Sequence, residues 1–331
     1  MSEAPIIEVK DLKKLFPVRM GFLRTLFSKE ALYVHAVDGV SFNVKRGEIF
    51  ALAGESGSGK TTTGRLLLKL IKPTGGSILF KGKDITTLSD GEMKPLRRKL
   101  QVVFQDPYES LNPRMTIESI VSEPLRVQGV HNPKEVQERV TKALENVELI
   151  PAEEYLFRFP HEVSGGQRQR IAVARALVLD PEFIVADEPV SMLDVSIRAE
   201  ILNLMVSLQE KFQTSFLYIT HDLALARHIC NRIAVMYLGK IMEMGTVDDV
   251  IQKPMHPYTK SLIAAVPVPD PTSARAEVVI KGEIPSPVNP PSGCRFHTRC
   301  PSYIGDVCRQ KEPELADVGG GRVVACHLYS K

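Results

Sequence analysis

No stretch of the 331 residues offers the roughly 18–20 consecutive apolar side chains that a membrane-spanning helix needs. Met1 to Lys10 carries Glu3 and Glu8 and has no long apolar centre, so that stretch is not expected to act as a secretory signal. Charge of one sign is not in excess. Lys plus Arg number 42 and Asp plus Glu 39, leaving +3, which is too balanced for a protein whose main work is gripping nucleic-acid phosphates. Neither a tandem repeat nor a sustained heptad runs through the chain. Cysteine is scarce, five residues in all, yet four of them fall beyond Pro291. What is present is ordinary for a soluble globular protein: 44% hydrophobic and 24% charged residues. The length favours two structural units over one, and a soluble, cytoplasmic chain is the expectation.

Strand and helix periods alternate from the start. Ile6–Leu12, Val40–Val44, Glu48–Ala53, Ser77–Phe80, Gln101–Phe104, Phe183–Ala186, Ser215–Ile219 and Ile233–Met236 read as strands. Thr61–Ile71, Pro133–Val147, Ser164–Leu179, Val195–Lys211 and Leu223–His228 read as helices. Pro17–Leu32 has little period and reads as an insertion loop. The alternation predicts an α/β fold with a largely parallel sheet covered by helices. Prolines recur from Lys253 to Pro291, which predicts a surface linker interrupted by one helix at Tyr258–Val266.

Gly54-Glu55-Ser56-Gly57-Ser58-Gly59-Lys60-Thr61 fits the P-loop pattern in full and lies between a predicted strand and a predicted helix. Glycines let such a backbone wrap closely around phosphate oxygens, and the following helix adds free donors and its dipole. Lys60 is placed for the β and γ phosphates, Thr61 for Mg²⁺, and Thr62 follows in the same turn. A second apolar strand ends in Asp187-Glu188. Asp187 suits the Mg²⁺ shell, and Glu188 suits a general base that polarises the attacking water.

The segment between these motifs narrows the choice. Val163-Ser164-Gly165-Gly166-Gln167-Arg168-Gln169-Arg170 resembles the signature motif of ATP-binding-cassette (ABC) ATPases, with Val163 where Leu is usual. The resemblance implies a P-loop (RecA-like) nucleotide-binding domain with a helical subdomain, in which two subunits sandwich two ATP molecules. Ser164, Gly165, Gly166 and Gln167 would then face the nucleotide held by the partner's P-loop. Gln105 matches the Q-loop residue near Mg²⁺ and the attacking water. Ser191-Met192-Leu193-Asp194 resembles the D-loop, and His221 matches the switch histidine on the γ-phosphate. For the aromatic that stacks on adenine, Phe16 is the candidate, with Tyr33 flanking the same insertion; core packing is an equal reading of either ring. On this resemblance residues 1–252 form the ATP-binding domain, about 107–180 its helical subdomain, and 253–331 a small C-terminal extension.

Cys294, Cys300, Cys308 and Cys326 stand 5, 7 and 17 intervening residues apart. In a reducing compartment clustered cysteines point to a metal rather than to disulfides. The run Gly293-Cys294-Arg295-Phe296-His297-Thr298-Arg299-Cys300-Pro301, with Ala325-Cys326-His327-Leu328 and the upstream His256-Pro257-Tyr258-Thr259-Lys260, resembles the extension of oligopeptide/dipeptide importer ATPases. That resemblance implies a [4Fe–4S] cluster on the four cysteines, with Zn²⁺ as the alternative and unligated thiols as a third reading. His297 and His327 could replace a thiolate but read first as solvated residues, and Cys230 reads as a small core residue.

The family further implies ATP and Mg²⁺ as ligands and a second, paralogous ATPase subunit. It also implies two permease subunits, an extracellular solute-binding protein, and a peripheral place on the cytoplasmic face of the membrane. Peptides are the default solute, and some relatives carry oligosaccharides. Two rival readings stand beside it: a non-transport ABC ATPase acting on DNA or ribosomes, and an ATPase governed by an iron–sulfur redox module.

Overall fold

The computed structural model describes residues 4–18, 32–265 and 282–330. In chain order the first elements are strands β1 (Ile7–Pro17), β2 (Tyr33–Val44) and β3 (Ile49–Ala53), helix α1 (Lys60–Leu67), strands β4 (Gly75–Phe80) and β5 (Lys83–Asp84), helix α2 (Asp90–Arg97) and strand β6 (Leu100–Val103). Helices α3 (Pro107–Ser110), α4 (Ile117–Val127), α5 (Pro133–Asn146), α6 (Glu153–Leu156) and α7 (Gly165–Leu177) follow. Then come β7 (Phe183–Asp187), α8 (Val195–Phe212), β8 (Ser215–Thr220), α9 (Leu223–Ile229), β9 (Arg232–Tyr237) and β10 (Lys240–Thr246). The remainder comprises α10 (Val247–Gln252), α11 (Pro257–Ala264), α12 (Asp306–Gln310), β11 (Ala316–Gly319) and β12 (Arg322–Val324). Among the described residues no helix is long and apolar enough to cross a membrane.

The chain gathers into two compact units. One takes Val44–Ile49 and Thr87–Ile219 with the residues up to Ile6; the other takes Ile7–Asn43, Phe50–Thr86 and everything from Thr220 on. In the first unit β6, β7 and β8 lie side by side and parallel, with Leu100 opposite Phe183 and Phe183 opposite Ser215. β7 and β8 are buried at every position, as their unbroken apolar runs require when both faces are covered. Parallel neighbours need long crossovers. Helices α3–α7 make the first of these and α8 the second. Helices α4, α5 and α7 pack on one another through faces that include Ile120, Leu125, Val140, Leu144 and Ile171.

In the second unit β2-β1-β4-β5 form a sheet, with β1 and β4 antiparallel and Ile7 opposite Phe80. β3 runs parallel to β9, pairing Ala51 with Ile233. Antiparallel neighbours β10, β12 and β11 extend from β9. The prolines after Lys253 do not make a surface linker throughout. His256, Tyr258, Thr259 and Ser261 are buried, because the Tyr258 ring packs 4.7 Å from Tyr237 and 5.3 Å from Phe296. The predicted insertion loop Pro17–Leu32 and the linker prolines Pro267, Pro269 and Pro271 fall largely or wholly outside the described residues.

Candidate functional site

β3 delivers the chain, fully buried, into the glycine-rich loop. Gly54 adopts φ 149° and Gly59 φ 106°. A Cβ at Gly54 would meet the Met236 carbonyl oxygen at 2.2 Å, and one at Gly59 the Ala36 carbonyl oxygen at 2.2 Å. Only glycine fits either position. α1 starts immediately after Gly59, which lends it no side-chain cap. Lys60, buried, donates through Nζ to the Gly54 carbonyl at 2.8 Å and the Glu55 carbonyl at 3.0 Å. Ser56 and Gly57 are exposed at the crest, and Thr61 and Thr62 are half-buried on the first turn of α1. Donors converging at a helix N-terminus beside a lysine make an anion cradle.

The other unit assembles the acidic residues. Because β6 and β7 are parallel neighbours, their C-terminal ends share one edge, and Gln105 meets Glu188 there. Gln105 Nε2 donates to Glu188 Oε2 at 3.2 Å. Asp187 ends β7 almost enclosed. Glu188 takes φ 45°, with its N–H donating to the Ile219 carbonyl at 3.0 Å and its own carbonyl accepting from Ser191 N–H and Oγ–H. Ser164 caps α7 in a reciprocal pair: its Oγ accepts from the Gln167 N–H at 3.3 Å, and its N–H donates to Gln167 Oε1 at 3.0 Å. Gly166 lies against Ile197, where a Cβ would come within 2.8 Å. Asp194 stands at the N-cap of α8 without a side-chain capping bond.

Back in the P-loop unit, His221 is exposed on the turn between β8 and α9. That turn is held by Asp222, whose Oδ1 accepts from the Ala224 and Leu225 N–H groups. Phe16 and Tyr33 lie on β1 and β2 with about two-fifths of each ring side chain in solvent, so neither is a core aromatic. Lys14 Nζ sits 4.8 Å from the Phe16 ring.

Cys294, Cys308 and Cys326 are buried and Cys300 half-buried, with no disulfide among them. Cys300, Cys308 and Cys326 stand near enough to Cys294 to raise its pKa. Burial first, then the neighbouring thiols, pushes Cys294 up to about 12, and Cys300 and Cys326 are raised for the same reasons. Among the described residues no three His, Cys, Asp or Glu side chains are arranged to hold a metal ion. His297 Nδ1 lies 2.9 Å from the Cys294 carbonyl oxygen and His327 Nε2 2.8 Å from that of Lys311, so both are engaged by backbone. Cys230 is buried at the end of α9.

Sequence reasoning missed two side chains that reach the P-loop. Tyr258 Oη accepts from the Glu55 N–H, and Arg299 pairs with the Glu55 carboxylate. A signal existed: an acidic residue inside an anion-binding loop calls for a cation to offset it.

Comparison with known proteins matches residues 37–191 to the family described as ABC transporter, and residues 242–308 to the oligopeptide/dipeptide transporter C-terminal region. The oligopeptide transport ATP-binding protein AppF of Bacillus subtilis is 49% identical over 332 residues, covering 99% of each chain. A Brucella ovis protein named for peptide import and ATP binding is 50% identical over 326 residues, covering 98% of each. Among solved structures, the ATP-binding cassette MJ0796, dimeric in a post-hydrolysis state bound to ADP and Pi, superposes with a TM-score of 0.62 at 32% identity, covering 73% of this chain and 98% of that one. The cbiO1 protein of Clostridium perfringens, part of the cbiONQ transporter complex, gives 0.64 at 29% identity, covering 76% and 92%.

Proposed function

The chain belongs to the ATP-binding subunits of ABC transporters, of the oligopeptide/dipeptide type, and from that premise we propose that it powers peptide uptake. It does so by hydrolysing ATP against permease subunits carried on other chains, at the cytoplasmic face of the membrane, with an extracellular binding protein delivering the solute. Its partner in the nucleotide sandwich is a second ATPase subunit, a related but different chain. Residues 1–252 make the ATP-binding domain, about 107–180 its helical part, and 253–331 the extension.

The loop N–H groups and Lys60 hold the β and γ phosphates. Thr61, Asp187 and Gln105 supply the hard oxygen donors that suit Mg²⁺; the ion, when bound, neutralises charge on those phosphates. Glu188 takes a proton from the attacking water, with Gln105 keeping its carboxylate in place, and His221 contacts the γ-phosphate. Ser164, Gly165, Gly166, Gln167 and Asp194 close over the nucleotide of the partner, and Phe16 stacks on adenine.

The observation that carries this reading is the cradle that only Gly54 and Gly59 can form, leading directly into Lys60. The test is peptide uptake by vesicles containing the whole transporter. Lys60→Ala is expected to reduce ATP-driven uptake and phosphate release to background; uptake that persists in that variant refutes the proposal. Uptake of an oligosaccharide in place of peptide would leave the ATPase role standing and replace the solute.

For the extension, the finer reading places a [4Fe–4S] cluster, or Zn²⁺, on Cys294, Cys300, Cys308 and Cys326. Their gathering into one small module supports it; among the described residues no group of three His, Cys, Asp or Glu side chains is set to hold a metal ion. Anaerobically purified protein with a broad visible absorption would favour iron–sulfur, and colourless protein with bound zinc the alternative.

A further inference from the structure

A carboxylate is an unexpected side chain for a loop that wraps phosphates, since it repels the anion that the loop attracts. Glu55 nonetheless stands second in that loop. Its carboxylate is taken by Arg299 in a two-pronged pair, Nη1 donating to Oε2 at 2.9 Å and Nη2 to Oε1 at 3.3 Å. Arg299 is nearly enclosed, its side chain 7% exposed against 22% for Glu55. Nη1 also donates to Tyr237 Oη at 3.3 Å. Burial opposes the charge on Arg299, but the bonds to Glu55 and Tyr237 outweigh it and hold the group firmly protonated.

A second grip acts on the backbone. The Glu55 N–H donates to Tyr258 Oη at 2.9 Å. Tyr258 is fully buried, and burial raises its pKa, so the hydroxyl remains a neutral acceptor. The two gripping side chains come from 203 and 244 residues away along the chain, both within the C-terminal region. The path continues inward, because the Glu55 carbonyl accepts from Lys60 Nζ at 3.0 Å. A shift of Glu55 therefore moves a partner of the phosphate-binding lysine.

We infer that Arg299 and Tyr258 are positioning residues for the P-loop: they fix Glu55 and cancel its charge toward the incoming triphosphate, so the C-terminal region sets the affinity for ATP within its own chain. The inference rests on the reading of this loop as the ATP site. Each acts through Glu55.

The test measures MgATP affinity of the full chain by displacement of a trinitrophenyl nucleotide, with ATPase kinetics of the assembled transporter and the melting temperature alongside. Arg299→Met is expected to weaken ATP binding about tenfold, as loss of one charge-assisted pair does, and to raise KM while kcat at saturating ATP stays within about threefold. The double variant Glu55→Gln/Arg299→Met is expected to recover most of that affinity, because the uncompensated carboxylate is gone although the pair remains broken. Arg299→Lys should fall between, keeping the charge but not the fork. A double variant that binds ATP no better than Arg299→Met would reduce the pair to a structural staple and overturn the inference, as would native affinity in Arg299→Met. Should Arg299→Met fail to fold, Glu55→Gln alone decides: affinity equal to or tighter than native supports the inference, and weakening of more than about threefold overturns it. If the native chain binds no nucleotide, with Lys60→Ala indistinguishable from it, the ATP-site reading itself fails.

Discussion

Replacing Glu188 by Gln keeps the shape of the side chain while removing its charge and its capacity to take a proton. The backbone there adopts φ 45°, an unfavourable region for an L residue, and is held by the bond to the Ile219 carbonyl and the two bonds from Ser191. Gln is as unbranched as Glu, so that strain is unchanged, and none of the three bonds involves the side chain. The 3.2 Å bond from Gln105 Nε2 changes from charge-assisted to neutral. At a half-buried position the loss is about 1 kcal/mol, too little to unfold the chain. The barrier to hydrolysis changes far more. A positioned general base contributes roughly 10²–10⁴ in rate, or about 3–5 kcal/mol. Phosphate release by the assembled transporter is therefore expected to fall at least about a hundredfold, while trinitrophenyl-nucleotide titration shows ATP affinity within about threefold of native. Turnover within threefold of native would refute the assignment of Glu188 as base. Loss of both turnover and affinity would refute the claim that its role is confined to the proton.

Gly59→Ala should abolish nucleotide binding in the same titration, since its Cβ would fall 2.2 Å from the Ala36 carbonyl oxygen at a backbone angle that only glycine adopts freely. Arg322→Met should destabilise the chain by about 3–5 kcal/mol in urea unfolding, because Glu243 is fully buried and, among the described residues, would keep as donors the Met255 and His256 N–H groups; a loss below about 1 kcal/mol would refute this. Burial, and to a smaller extent the nearby charge of Lys260, lowers the His256 pKa to about 3, whereas the unfolded chain takes up that proton near 6.5. The neutral ring thus contributes stability that is complete above pH 6.5 and is lost as pH falls toward 3, by roughly 1.4 kcal/mol per pH unit. Urea midpoints at pH 7 and pH 5 should differ more for the native chain than for His256→Gln.

Some elements escaped the sequence for identifiable reasons. The strand β1 was legible only to Leu12, because a register shift against β4 between Lys10 and Lys13 breaks the two-residue alternation, although pairing continues to Lys13. Helix α4 hides behind Pro124, a residue that ordinarily ends a helix, yet its Ile117, Ile120, Val121 and Leu125 share a buried face. The helix predicted for Thr61–Ile71 ends at Leu67, and Lys69 turns left-handed with φ 49°. Strand β10 carries Glu243 at its centre, which reads as a solvated position until Arg322 of β12 is seen beside it.

The nucleotide-binding motifs were readable because each is a contiguous run whose geometry is decided locally. Gly54 to Thr62 wraps its own lysine, Ser164 and Gln167 cap each other across three residues, and β7 announces Asp187 and Glu188 by its unbroken apolar run. The placement of the C-terminal region was not readable. Tyr258, Phe296, Arg299 and Arg322 look like ordinary residues of a proline-rich tail. Their roles come from contacts with Tyr237, Glu55 and Glu243 tens to hundreds of positions away. Burying an ion pair is tolerable only when both charges arrive together, and which charges arrive together is settled by the fold and not by neighbours in the chain.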